Sequence, residues 1–168
     1  MTLAYMDGDA TLPQGEGPKV LVHICNDVGA WGRGFVLALS RRHREPERAY
    51  KRWALGETGQ PFVLGEVQFV PVAPDLTVAN LIGQRDIARK NRPTGVPPVR
   101  YEAIRGGLAK VREEARCLGA SVHMPRIGAG VAGGDWSLIE PIILEELVNH
   151  GLPVTVYDLP TVETGVTP

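Results

Sequence analysis

Short hydrophobic runs recur along the chain, and polar or glycine-rich segments separate them. Six of these runs have the length of a strand, and most are apolar at both alternating positions, which is typical of strands covered on both faces. The runs are TLAYM (2–6), KVLVHIC (19–25), EVQFVPV (66–72), LTVANLI (76–82), SVHMPRI (121–127) and VTVYDL (154–159). We therefore expect a sheet that is buried between other elements.

Four of the intervening segments repeat hydrophobic residues at helical spacing. They cover residues 34–43, 45–55, 99–118 and 136–150. The third places an apolar stripe opposite its charged residues, which predicts packing on the sheet. The stripe consists of Ile104, Leu108, Val111 and Ala115. Between the third and fourth strands, Pro71 and Pro74 mark a turn that leaves no room for a helix, so one antiparallel pair interrupts the alternation. The pattern predicts an α/β fold with a mixed sheet.

The length and charge of the chain limit the classes of protein it can belong to. Its 168 residues suit one domain, which we place at residues 1–160 with a flexible tail at 161–168. The formal net charge of -1 creates no general attraction to nucleic acid or to an anionic membrane, so an anionic ligand must be held locally. No apolar run approaches the ~20 residues of a membrane span, and the N-terminus has no leader pattern.

Cysteine and histidine usage adds little chemistry. Cys25 and Cys117 lie in apolar segments without metal-ligand spacing, and we interpret them as two buried thiols. His23 lies in a strand among apolar neighbours and is interpreted as a hydrogen-bonded core histidine. No cluster of His, Cys and carboxylate residues has the spacing of a metal site. We expect a cytoplasmic monomer that needs no metal and no other cofactor.

Two glycine-rich segments, HICNDVGAWGRGF (23–35) and MPRIGAGVAGGDW (124–136), each join a strand to a helix. Glycine lets a ligand approach the backbone, and a helix N-terminus presents unpaired N–H groups, so such junctions bind anions. Each could also be only a tight turn, but two of them in one domain favour a diphosphate ligand. GAGVAG matches the spacing of a dinucleotide fingerprint, yet no acidic residue follows at the required distance, which argues against that site.

Several single residues admit two interpretations. Asp9 either closes a turn through an Asx-type hydrogen bond or accepts the exocyclic amine of an adenine. Asp135 either caps the helix that begins at Trp136 or takes part in chemistry. Trp31 has little structural reason to lie in a glycine loop, so we expect it to stack on a ribose or to gate the site.

Taken together, YMDGDAT, the two glycine-rich segments and VTVYDL resemble a macrodomain, the ADP-ribose-binding α/β/α module, over roughly residues 3–160. The resemblance implies a three-layer α/β/α sandwich with a mixed central sheet. Within that family the chain most resembles the ALC1-like branch that contains the terminal ADP-ribose–protein glycohydrolase. MPRIG, Trp136 and VYDL are the closest local matches.

The resemblance also implies which residues contact ADP-ribose. Those at the adenine are Asp9, Ala10, Asp158 and Leu159, and Asn26 contacts the distal ribose. The first phosphate loop contributes Trp31, Gly32, Arg33, Gly34 and Phe35. The second contributes Gly128, Ala129, Gly130, Val131, Ala132 and Gly133.

The chain departs from that branch at two catalytic positions. The branch uses a Lys nucleophile and a loop Asp, and the matching residues here are Gln84 and Ala132, neither of which can perform that chemistry. Lys90, in the long cationic loop 83–98, can replace the nucleophile only if that loop folds inward. We therefore expect the diphosphate and a positioned water to cleave the bond. The candidate catalytic residues are Asn26, Asp27, Gln84 and Asp135.

These features lead to one main functional hypothesis and three alternatives. The main hypothesis is hydrolysis of ADP-ribose from mono-ADP-ribosylated acidic side chains of proteins. The alternatives are a reader that binds ADP-ribose without turnover, a phosphatase for ADP-ribose 1″-phosphate, and a nucleotide-binding α/β protein for another diphosphate. The expected partner is ADP-ribose or an ADP-ribosylated protein, with nucleic acid only as an ADP-ribosylated end and no membrane.

Overall fold

A six-stranded mixed sheet forms the centre of the computed structural model, which describes residues 3–87 and 96–160. The strands are β1 (Leu3–Asp7), β2 (Lys19–Asn26), β3 (Val67–Ala73), β4 (Leu76–Gln84), β5 (Ser121–Met124) and β6 (Val154–Asp158). Their order in the sheet is β1-β6-β5-β2-β4-β3, and every neighbouring pair is parallel except β3 with β4. The six predicted strands and the antiparallel pair are confirmed.

The four predicted helices are also present, with changed ends. They are α1 (Phe35–Arg42), α2 (Glu45–Ala54), α3 (Tyr101–Leu118) and α4 (Trp136–Glu146). The segment predicted as one helix over 136–150 divides, because α4 ends at Glu146 and a 3-10 turn, Val148–His150, follows it. The third helix begins at Tyr101 and not at Val99, which instead pairs with Gln84 as an isolated bridge.

Alternating side chains of the strands build two separate cores, one on each face of the sheet. Val20 and Val22 of β2 face the core formed with α3 and α4. Leu21 and Cys25 of the same strand face the core formed with α1 and α2. This alternation is the period-2 geometry of a strand, and it confirms the three-layer α/β/α sandwich. The predicted stripe of α3 is buried in the first core.

The two cysteines differ in exposure, so the prediction of two buried thiols is wrong for one of them. Cys25 is buried in β2, whereas Cys117 is exposed in the last turn of α3. On a helix, a residue two positions after buried Ala115 points away from the face that Ala115 occupies. The apolar neighbourhood of Cys117 in the sequence therefore does not correspond to a buried position.

A row of polar side chains crosses the face of the sheet that α2 covers. His23, Asn80 and Gln68 occupy paired positions on β2, β4 and β3. His23 Nε2 lies 2.5 Å from Asn80 Oδ1, and Asn80 Nδ2 donates to Gln68 Oε1 at 3.1 Å. Because the Asn80 amide nitrogen is committed to acceptors, His23 Nε2 carries the hydrogen. The interpretation of His23 as a hydrogen-bonded core histidine is confirmed.

Stability is expected to fall as the pH decreases from about 6.5 to about 4. Burial lowers the pKa of His23 to about 4, and the Asn80 hydrogen bond only partly opposes this. In the unfolded chain the histidine has a pKa of about 6.5, so between these pH values the unfolded state binds more protons than the folded state. The free energy of unfolding is therefore highest above about pH 6.5 and decreases as the pH falls towards about 4. Thermal melts of wild type and His23→Gln should show a steeper pH dependence in wild type. Equal pH dependence of the Tm in the two proteins would contradict the role of His23.

A second histidine also contributes to the pH dependence. Burial lowers the pKa of His123 to about 4, so the Tm of the variant should still decrease somewhat as the pH falls.

Some predicted features fall outside the described residues. These are the tail at 161–168 and Lys90, whose loop is described only up to residue 87 and from residue 96. None of the described helices combines the length and the apolar character that a membrane crossing requires.

Candidate functional site

A cavity of about 290 Å³ lies where β2 and β4 end and α1 begins. It is lined by Ile24, Cys25, Asn26, Ala30, Trp31, Gly32, Arg33, Val36, Gln84, Ile87 and Val131. Ligands of open α/β sheets bind outside the carboxyl ends of the strands, which is where this cavity is found. It is therefore the candidate site.

Asn26 organises the first glycine loop. Its Oδ1 accepts hydrogen bonds from Val28 N at 3.1 Å and Ala30 N at 3.0 Å, while its Nδ2 donates to Ala30 O at 2.7 Å. These bonds turn the chain back directly after β2, so the loop returns towards the sheet before α1 begins. Asn26, which was predicted to contact the distal ribose, lines the cavity. Most of the hydrogen-bonding groups of its side chain are already used within the loop.

The first glycine loop ends at Gly34, directly before α1. Gly34 has φ 81 and ψ -145 and precedes α1 without a side-chain cap. The N–H groups of Gly34, Phe35 and Val36 find no acceptor among the residues that the structure describes. Unpaired amides at a helix N-terminus carry partial positive charge, so this end of the loop can bind an anion.

The second glycine loop is closed by its own backbone. Gly134 N donates to Gly128 O at 2.7 Å, and Gly133 N donates to Gly130 O at 3.0 Å. Val131 lies at the exposed tip, where its Cγ2 would be 3.5 Å from a Cβ added at Gly34. The two loops therefore approach each other beside the cavity, which Val131 also lines.

Asp9 makes the Asx-type turn that was one of its two interpretations. Its Oδ1 accepts from Thr11 N at 2.9 Å and from Thr11 Oγ1 at 2.7 Å, while Arg42 Nη2 lies 3.7 Å from Oδ2. Partial burial raises the pKa of Asp9, but the Thr11 hydrogen bonds and Arg42 bring it below its ordinary value. β1 ends at Asp7, so Asp9 follows the strand by two residues. Ala10 beside it is buried.

The residues predicted at the adenine from the last strand are placed differently. Asp158 forms a two-point ion pair with Arg126, whose Nε and Nη2 lie 2.6 Å and 2.9 Å from its oxygens. The Arg126 hydrogen bonds lower the pKa of Asp158. Arg126 also lies over the rings of Tyr5 and Trp136. Leu159 is 73% exposed, and neither Asp158 nor Leu159 lines the cavity.

Trp31 has a structural role that the sequence analysis did not foresee. It is 8% exposed, and its Nε1 donates to Ser40 Oγ at 2.7 Å. Ser40 Oγ in turn donates to Glu47 Oε1 at 2.8 Å, which links the loop to both α1 and α2. The expectation that Trp31 lacks a structural reason is therefore wrong, although the residue also lines the cavity. A gate would have to break these bonds.

The four candidate catalytic residues do not converge on one point. Asn26 and Gln84 line the cavity, but Gln84 Nε2 is committed to Asp86 O at 2.9 Å. Asp27 Oδ1 accepts from Asp86 N at 2.7 Å, so its carboxylate joins the two strand ends and does not line the cavity.

Asp135 is an N-cap. Its Oδ1 accepts from Ser137 N at 2.9 Å and from Ser137 Oγ at 2.6 Å, at the start of α4. These hydrogen bonds lower its pKa. The capping interpretation is confirmed, and the residue does not line the cavity.

The lining contains few ionisable groups. Among the described residues that form it, only Cys25 and Arg33 ionise, and burial raises the pKa of the Cys25 thiol. No described group of three His, Cys, Asp or Glu residues could hold a metal ion. Sequence reasoning missed the apolar wall of Ile24, Val36 and Ile87, and it missed Tyr50, which contacts Asn26 from α2. The spacing of Pro46, Tyr50 and Trp53 indicates a buried helix face, but it does not indicate which group the hydroxyl of Tyr50 contacts.

The chain is similar over nearly its whole length to proteins of solved structure. A protein of unknown function from Bacteroides thetaiotaomicron is 52% identical, with a TM-score of 0.88 over 95% of this chain and 99% of that chain. A macrodomain protein from Streptomyces coelicolor is 50% identical, with a TM-score of 0.81 over 94% of this chain and 99% of that chain. No family model matches the chain.

More distant similarities extend to larger proteins. Chromodomain-helicase-DNA-binding protein 1-like of Mus musculus is 34% identical over 169 residues, 95% of this chain and 18% of that protein. The chain thus spans less than a fifth of that relative. A Thermosipho africanus DarTG solved in complex with ADP-ribose shares the fold, with a TM-score of 0.62 and 18% identity over 84% of this chain and 38% of that chain.

Proposed function

This chain belongs to the macrodomain family, and from that premise we propose that it binds ADP-ribose and hydrolyses it from mono-ADP-ribosylated acidic side chains of proteins. The ligand agrees with the complex of the more distant DarTG protein. The choice of an acid-linked substrate follows the resemblance of the MPRIG and VYDL motifs to the glycohydrolase branch.

One observation carries the proposal: the two glycine loops come together beside the cavity, where Val131 of the second loop lies next to Gly34 of the first. A single helix N-terminus suits one phosphate, whereas two opposed bends suit a diphosphate. Arg33 lies exposed on the cavity lining and adds a positive charge that can neutralise the second phosphate. The arrangement therefore supports a diphosphate between the loops and a distal ribose inside the cavity.

The adenosine half of the ligand is assigned to the Asp9 turn. Thr11 occupies Oδ1 of Asp9, so Oδ2 is the oxygen that can accept the adenine amine. Arg42 contacts both Asp9 Oδ2 and Thr11 Oγ1, which holds this turn beside α1. The amine-acceptor role of Asp9 is compatible with its Asx turn, because the two roles use different oxygens.

The composition of the lining favours chemistry in which the substrate assists. None of the described lining residues is a carboxylate, a lysine or a histidine that could act as base or nucleophile. In the proposed step, a water oxygen attacks C1″ of the distal ribose while the bond from C1″ to the ester oxygen breaks. The carboxylate leaves with the bonding electrons, and the proton of the water passes to solvent along a diphosphate oxygen. The loops orient the diphosphate for this step.

The proposal is tested by release of ADP-ribose from glutamate-linked, serine-linked and arginine-linked substrates. Release from the glutamate ester in ¹⁸O-labelled water should place the label in ADP-ribose and leave the glutamate carboxylate unlabelled. Label in the carboxylate would indicate attack at the ester carbonyl and contradict the step. Loss of turnover in Lys90→Ala would also contradict it, because the step uses no lysine.

Binding measurements separate the remaining hypotheses. Calorimetry with ADP-ribose, ADP, NAD and coenzyme A should show that ADP-ribose binds most tightly, since only it presents a free distal ribose to the cavity. Equal affinity for ADP would favour a protein for another diphosphate. If the protein binds ADP-ribose but releases it from none of the substrates, it is a reader of ADP-ribosylation. Release of phosphate from ADP-ribose 1″-phosphate would instead identify it as a phosphatase.

Asp135 has a structural role in this proposal. Asp135→Ala should lower the Tm by about 2–4 °C through loss of the N-cap and should leave turnover intact below the melting transition. Asp135→Ser is the matched control, because serine also caps helices and should keep the Tm close to that of wild type. A loss of turnover in both variants would indicate that Asp135 takes part in catalysis.

A further inference from the structure

Tyr50 brings a hydroxyl from α2 to the base of the first glycine loop. The residue is fully buried, and its Oη lies 2.6 Å from Asn26 O and 2.8 Å from Asn26 Oδ1. Burial raises the pKa of Tyr50, and the nearby backbone N–H of Gly29 partly opposes this. A phenol carries one donor hydrogen, which the two oxygens of Asn26 share as acceptors. The hydroxyl therefore ties the end of β2, where the loop begins, to α2.

The sheet determines where this hydroxyl lies. Asn80 Nδ2 donates to Pro46 O at 3.1 Å, and Gln68 Nε2 donates to Ala49 O at 2.9 Å. Both acceptors are backbone groups of α2, one of them directly before Tyr50. The polar row of the sheet therefore holds α2 by its main chain. The ring of Tyr50 also packs against Trp31, with ring centroids 5.3 Å apart.

We propose that Tyr50 is a positioning residue, whose hydroxyl holds the loop from Asn26 to Gly34 in the conformation that binds the distal half of ADP-ribose. The inference rests on the proposed function and identifies what preorganises its cradle. Asn26 alone ties the loop to itself, through Val28 and Ala30. Tyr50 ties the loop to the rest of the protein, so the amides before α1 are already placed when the ligand arrives.

Removing only the hydroxyl tests the proposal. In Tyr50→Phe, the affinity for ADP-ribose should fall about tenfold, because the main-chain oxygen of Asn26 loses the hydrogen bond from Tyr50 and the loop relaxes. The affinity for AMP, which lacks the distal ribose and the second phosphate, should change less than about twofold. An equal loss for both ligands, or no loss for ADP-ribose, would overturn the proposal.

Trp53→Phe is a matched control in the same helix. Trp53 is buried, and its Nε1 contacts Gln60 O and Pro61 O, away from the loop. This variant should lose at least as much thermal stability as Tyr50→Phe and keep its ADP-ribose affinity. If the affinity of the control fell to the same extent, general destabilisation would explain both variants and the positioning role would be overturned.

Two further measurements connect the effect to the loop. If Tyr50 acts through Asn26, then Tyr50→Phe should weaken ADP-ribose binding much less in an Asn26→Ala background than alone, and additive effects would overturn the proposal. In the ligand-free protein, the amides of Gly29 and Ala30 should exchange hydrogen faster in Tyr50→Phe, and unchanged exchange would also overturn it. Exchange needs no ligand, so a wild type that failed to bind ADP-ribose would remove the proposed function while this test of Tyr50 still gave an answer.

Discussion

Replacing Gly34 by valine is expected to weaken ADP-ribose binding by about 100-fold or more while leaving a folded protein. A Cβ at this position would touch Val131, 3.5 Å from its Cγ2, so the two γ-methyl groups of valine must press against Val131 and the amides at the start of α1. We place the diphosphate against these amides, beside Val131. The added methyl groups exclude the ligand and displace Val131, whereas the strand ends and both cores are untouched.

The backbone of Gly34 adds a second cost to this substitution. Its φ of 81 and ψ of -145 lie outside the regions that residues with a side chain adopt. Valine must either keep this strained conformation, at about 1–3 kcal/mol, or rotate the amides that face the ligand. In both cases the helix terminus loses its role as an anion site.

A matched control separates the effect of backbone strain from the effect of losing the anion site. Gly56 has φ 78, close to that of Gly34, and an added Cβ there would meet no atom within 4 Å. Gly56→Val should therefore lose comparable stability in thermal melts while binding ADP-ribose like wild type in calorimetry. Should Gly34→Val bind as tightly as Gly56→Val, the diphosphate could not lie against the amides at Gly34.

Gly134→Ala should have the largest effect on stability among substitutions in the two loops. An added Cβ would lie 2.4 Å from Gly128 O and 2.9 Å from Ile139 Cδ1. Gly128 O cannot move away freely, since it accepts the 2.7 Å hydrogen bond from Gly134 N that closes the loop. We expect a loss of about 2–4 kcal/mol and a Tm lower by roughly 10 °C.

The second loop also offers its own control. An alanine at Gly130 would meet no atom within 4 Å, and its backbone has no positive φ that a side chain would disfavour. Gly130→Ala should leave the Tm within about 2 °C of wild type. A small change in both variants would mean that the loop is not held by the bond between Gly134 and Gly128.

The elements of the fold could be predicted because their signals are local. Runs such as KVLVHIC are apolar at both alternations, and β2 is indeed covered on both faces by different cores. Prolines at 71 and 74 excluded a crossover helix, and β3 pairs antiparallel with β4. The prediction failed at the end of α4, where a 3-10 turn follows, and at Cys117, which lies on the side of α3 that faces away from buried Ala115.

The site was only partly predictable for a related reason. Glycine spacing located both loops, because positive φ and close approach require glycine wherever the rest of the chain lies. The partners of individual side chains depend on which elements pack together. Asp158 at the end of β6 pairs with Arg126, which follows β5, and Trp31 donates to Ser40 on α1. Nothing in the spacing of these residues indicates such contacts.

By itself, the sequence determined six strands, four helices, a mixed sheet and two glycine loops at strand ends, because periodicity and backbone freedom are properties of short segments. The tertiary structure alone decided that Asn26 is held by Tyr50, that Asp27 joins the ends of β2 and β4, and that the described lining contains few ionisable groups. The contact between Tyr50 and Asn26 required α2 to pack on the polar row of the sheet, because such packing brings together residues that are distant along the chain.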